Sequence, residues 1–109
     1  MAFDEGLAQR LREHLAGTSG LAEKKMFGGL SFLVDGNLCV GVIGEELIAR
    51  VGVDATEAAL GRPGSRLFDF SGRPMKGWIT VGPGALEADD ALAGWVDEAL
   101  RFVRTLPPK

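Results

Sequence analysis

The sequence predicts an α+β fold in two layers, an antiparallel sheet with helices packed on one face. Three observations lead there. Apolar residues recur at helical spacing near both ends of the chain and in one short central segment; the stretches between them alternate apolar and polar residues; and glycine-rich turns keep the connections short. The order is helix, three or four strands, helix, two strands, helix.

Leu7, Leu11 and Leu15, with Phe3 one step earlier, form an apolar stripe that predicts a helix from about Asp4 to Ala16, and Gly17 stands where a left-handed cap would end it. Leu30, Phe32 and Val34 alternate, Asp35-Gly36-Asn37 supplies a turn that favours positive φ, and Leu38, Val40 and Val42 alternate again, which predicts a hairpin. After the Gly44-Glu45 turn, Leu47 to Val51 reads as the next strand. Ile48 and Arg50 lie on one side of it, with Leu47, Ala49 and Val51 on the other. A short helix is expected near Asp54, where Asp54-Ala55-Thr56-Glu57 has capping-box spacing, and Gly61 with Pro63 closes it. Leu67 to Phe70 and Trp78 to Val81 predict two more strands, joined by a Ser71-Gly72-Arg73-Pro74 loop. The last helix begins between Ala88 and Asp90 and buries Leu92, Trp95, Val96, Ala99, Phe102 and Val103; Arg101 and Arg104 suit its far end, and Pro107 and Pro108 stop it.

A chain of 109 residues with 46% hydrophobic content fits a single domain, residues 1–109, with one core. No apolar run approaches the roughly eighteen residues that span a bilayer, and the N-terminus lacks the features of a signal peptide, so a cytoplasmic protein is expected. With Cys39 the only cysteine and His14 the only histidine, neither an internal disulfide nor a zinc site is expected. The net charge of −3 argues against strong direct DNA binding. Its distribution is uneven: Arg62, Arg66, Arg73 and Lys76 face only Asp69 in their segment, whereas Glu87, Asp89, Asp90, Asp97 and Glu98 stand without a base.

Two segments stand out, KKMFGG (Lys24 to Gly29) and FSGRPMKGWITV (Phe70 to Val81), each setting glycines and cations around large apolar residues. Together with LSFLVDGNLCVGV, ELIARVG and LFDF, they make nearly the whole chain resemble the N-terminal domain family of the TfoX/Sxy competence regulators. The resemblance implies a two-layer fold similar to that of secretion-chaperone-like proteins, with a sheet of about five strands. It also implies a small regulatory protein that works through protein contacts, with a transcription activator as partner. A role carried by the family's C-terminal domain is not expected of a chain that ends at Lys109.

No catalytic constellation is visible, so an enzyme is not expected, nor a cofactor. His14 sits on the first helix without a nucleophile nearby in sequence, and Cys39 lies mid-strand where a cysteine serves as a small buried hydrophobe. KKMFGG lacks Walker spacing, and its glycines are expected to permit a bulge or a close approach of strands. The alternative to a protein-contact role is a small-anion-binding module. In it Lys24, Lys25, Arg50, Arg73 and Lys76 converge on one sheet edge, with Trp78 or Phe27 as a flat apolar wall. Open sheet edges with few lysine or proline guards further predict a twofold homodimer.

Overall fold

The computed structural model describes residues 3–26, 28–70 and 72–109. The first helix, α1 (Glu5–Leu15), starts where the apolar stripe does. The Asp4 carboxylate accepts from the backbone N–H of Gly6 at 2.7 Å and of Leu7 at 3.2 Å, satisfying amides that the first turn leaves without partners. Gly17 follows in the left-handed region, as expected. Six strands come next in chain order, interrupted by one short helix: β1 (Leu21–Met26), β2 (Gly29–Val34), β3 (Asn37–Ile43), β4 (Glu46–Arg50), α2 (Thr56–Leu60), β5 (Ser65–Phe70) and β6 (Arg73–Val81). A 3-10 turn, Pro83–Leu86, leads into α3 (Asp89–Val103). Among the described residues, no helix is long and apolar enough to cross a membrane.

The sheet is antiparallel throughout, in the order β1-β2-β3-β4-β6-β5. Six strands rather than about five result because Leu21–Met26, which has little apolar alternation of its own, joins as an edge strand and stays mostly exposed. Its outer edge carries Glu23, Lys24 and Lys25, the charges that discourage pairing with another chain. A dimer built edge to edge would therefore meet fewer guards at β5 than at β1.

α1, α3 and the 3-10 turn cover one face. The core between the layers is built from Leu7, Leu11 and Leu15 of α1, Leu92, Trp95, Val96, Ala99 and Val103 of α3, and the sheet residues Phe32, Val40, Val42, Leu47, Ala49, Ile79 and Val81. The β4 alternation is as the sequence predicts, with Leu47, Ala49 and Val51 inward and Ile48 and Arg50 on the uncovered face.

Three local readings are corrected. α2 begins at Thr56 with Ala55 at its cap and no side-chain cap; the Thr56 hydroxyl instead donates to the Gly52 carbonyl at 2.9 Å, so the capping box from Asp54 does not form. Phe70 pairs with Arg73, so β5 and β6 are joined by two residues rather than a four-residue loop. The β3 alternation breaks at a bulge: Phe32 pairs with Val40 and Leu33 with Leu38, leaving Cys39 as the extra residue. Cys39 and Val40 both enter the core, and Leu38 turns to the uncovered face.

The glycines of KKMFGG have a structural role. Met26 pairs with Gly29 to close the β1–β2 hairpin, and Gly28 in the connection has φ 77°. A Cβ on Gly29 would collide with the Val42 carbonyl oxygen and with the Ile43 side chain, so only glycine lets β2 start this close to β3. The MKGW segment has a comparable function. Between the pairs Leu67–Ile79 and Phe68–Met75, β6 carries Lys76, Gly77 and Trp78 without partners on β5. Gly77, at φ 93°, turns its carbonyl to accept from Val51 and Gly52 at 2.9 and 3.1 Å. This bend sets Trp78 beside Arg50 of β4.

Candidate functional site

The face of the sheet that the helices leave uncovered carries Ser31, Leu38, Gly41, Ile48, Phe68, Trp78 and Thr80. Ile48, Phe68 and Leu38 are nonetheless only 5%, 5% and 8% exposed, because the bulges tighten the sheet around them and Trp78 leans on Phe68 with ring centroids 6.5 Å apart. They form a small apolar cluster separate from the main core. Beside it lies a groove of about 300 Å³ lined by Ile43, Glu46, Ile48, Arg66, Phe68, Asp69 and Thr80. Both Glu46 carboxylate oxygens lie 2.8 Å from Arg66.

At the other end of the cluster is Arg50. Its guanidinium carbon lies 4.9 Å from the centroid of the Trp78 ring and 5.6 Å from that of Phe102, on α3. Cation–π attraction to both rings positions the fork at the end of the sheet. Gly52 makes room for this arrangement: with φ 91° and no side chain, it lies flat under the Phe102 ring.

The expected cationic edge does not form. Lys24 and Lys25 sit on β1, whereas Arg73 and Lys76 sit on β6, four strands away in the sheet order, or roughly 19 Å at the usual strand spacing. Strand alternation further divides the two lysines: Lys24 is opposite Ser31 on the uncovered face and Lys25 opposite Leu30 on the covered one. Arg50 and Trp78 are the members of the set that meet. Phe27 lies outside the described residues. Phe102, which completes the aromatic pair, was visible in the sequence only as part of the α3 apolar stripe.

The charge asymmetry along the chain is also smaller in space. Arg62 reaches Glu98 at 2.6 Å, Arg10 reaches Asp89 at 2.9 Å, and Arg12 grips both carboxylate oxygens of Glu23 at 3.0 and 3.1 Å. Bases and acids that cluster separately in sequence are thus interleaved once helices and strands pack.

Cys39 is fully buried, and desolvation pushes its thiol up to about 12, with Arg104 and Arg50 pulling weakly the other way. The thiol form is the one the fold favours. Because the folded pKa lies above the ordinary 9.0, this stabilisation is fully present below about pH 9 and is lost as pH rises towards 12. Wild type should therefore lose stability across that window faster than Cys39→Ala, as read by urea unfolding at stepped pH. Folded protein should also resist a thiol reagent at pH 8 and react fully in denaturant; fast labelling of the folded state would contradict the burial. His14 is exposed on α1, and among the described residues no group of three or more His, Cys, Asp or Glu is arranged to hold a metal ion.

No curated protein and no solved structure matches the chain. The model of the TfoX N-terminal domain family matches residues 13–103, a span that runs from the last turn of α1 through α3 and takes in both glycine-rich segments and the Arg50–Trp78 pair. This chain belongs to the TfoX N-terminal domain family.

Proposed function

We propose that this protein is a small regulator that acts by contact with a protein partner in transcriptional control, and that the uncovered sheet face is its contact surface. Family membership suggests a regulatory or competence-related role. The observation that carries the surface assignment is the division of the sheet: helices seal one face, while the other holds half-buried Trp78 and, beside it, an open groove of about 300 Å³ with the nearly buried Ile48 and Phe68 in its lining and Arg66 and Asp69 exposed at it. Recruitment to DNA then runs through the partner, in keeping with a net charge of −3. The reading is of a binding protein rather than an enzyme, because the sole histidine is exposed and the sole cysteine is a buried thiol held protonated. The small-anion-module reading has less support, since its cations are divided between distant strands.

Photo-cross-linking in the native cell tests the surface. A cross-linking residue placed at Lys24 or Arg66, both exposed on the uncovered side, is expected to capture a transcription activator or an RNA polymerase subunit. The same residue at Gln9 or Asp97, exposed on the helices, is expected not to. Equal capture from both sides, or capture of no regulatory protein, would count against the proposal.

A further inference from the structure

Among the described residues two arginines rest on aromatic rings, and they differ in one respect. Arg62 lies 3.4 Å from the centroid of Trp95 and completes its environment with the Glu98 carboxylate at 2.6 Å. Arg50 is likewise half-buried and rests on Trp78 and Phe102, yet among the described residues no carboxylate lies within ion-pair distance and no hydrogen bond reaches its guanidinium. A guanidinium stacked on rings keeps its edge free, and that edge carries donors in a fork that matches a carboxylate bidentately. The surroundings add to the demand for an anion. Arg104 also lies close enough to Cys39 to lower its pKa together with Arg50, so two cations approach the same end of the sheet.

We propose that Arg50 is the carboxylate-binding residue of the contact surface, taking an aspartate or glutamate side chain of a protein partner in the way Glu98 serves Arg62. The proposal rests on the protein-contact reading above and adds the partner's chemistry: an acid next to an apolar side chain. The apolar neighbour lies on half-buried Trp78, whose ring continues from Arg50 towards Phe68 and the groove. Charge complementarity selects this occupant. A single fork between two rings suits one carboxylate, whereas a polyanion such as DNA would meet a chain of net charge −3.

The test is an NMR titration of the isotopically labelled protein with three probes: the capped peptide Ac-Leu-Glu-Leu-NH2, its counterpart Ac-Leu-Gln-Leu-NH2, and inorganic phosphate. The glutamate peptide is expected to shift the Trp78 indole and Arg50 amide signals and to bind about tenfold more tightly than the glutamine peptide. Arg50→Gln should erase that difference, and Arg50→Lys should restore only part of it, since the charge returns without the fork. The wild-type comparison of the two peptides needs no variant and so holds even if Arg50→Gln fails to fold. Phosphate binding as tight as the glutamate peptide would overturn the proposal in favour of a general anion site. Equal binding of the two peptides at Trp78 would overturn it while leaving the uncovered face as a contact surface. Silence from all three probes would overturn it too, and the cross-linking at Lys24 and Arg66 would then judge the contact reading separately.

Discussion

Trp95→Ala is expected to lower the unfolding free energy by about 3–5 kcal/mol, the largest effect of any single substitution considered for this fold. Trp95 is 2% exposed at the middle of α3 and ranks among the largest fully buried side chains, so its truncation leaves a cavity between the layers. A second loss accompanies the first. The ring is the platform on which Arg62 lies at 3.4 Å while it reaches Glu98, so removing it frees a side chain that links the α2–β5 connection to α3. Urea denaturation decides the matter: a loss below about 1 kcal/mol would mean that the core closes over the gap.

Gly52→Ala is expected to cost roughly 2–4 kcal/mol, from two sources that can be separated. Placing a Cβ at φ 91° strains the backbone, and the new methyl would lie 2.5–2.6 Å from two ring carbons of Phe102. Truncating that ring tells the terms apart. In a Phe102→Leu background the steric part should vanish, and Gly52→Ala should then cost only about 1–2 kcal/mol, the backbone term. The same cost in both backgrounds would show that the ring moves aside freely. Because Phe102 is one of the two rings that hold Arg50, Gly52→Ala should also weaken binding of the glutamate peptide.

The elements readable from sequence are those whose signal is local. α1 is given by three leucines at helical spacing and a glycine stop; α3 by its apolar stripe and first-turn acids; β4 by strict alternation. Each of these patterns is set by the geometry of its own backbone, so neighbours in sequence suffice to reveal it. The Asp35-Gly36 turn belongs here as well, with φ 52° and 83° at the two positions between β2 and β3.

What remained hidden depends on partners distant in the chain. Leu21–Met26 becomes a strand because β2 offers it an edge, not because its own residues alternate. Leu38 leaves the core because Cys39 bulges, a register decision made between two strands. The cationic set showed the same limit more sharply: sequence could name Lys24, Lys25, Arg50, Arg73 and Lys76, but only the insertion of β6 between β4 and β5 decides which of them meet. Sequence by itself determined the layer architecture, the alternation of β4 and the candidacy of Arg50 and Trp78. Tertiary structure alone placed Phe102 over Gly52, supplied Glu98 to Arg62 and left Arg50 without a carboxylate among the described residues, because ion pairing and ring stacking are settled by the distances that packing creates between residues far apart in the chain.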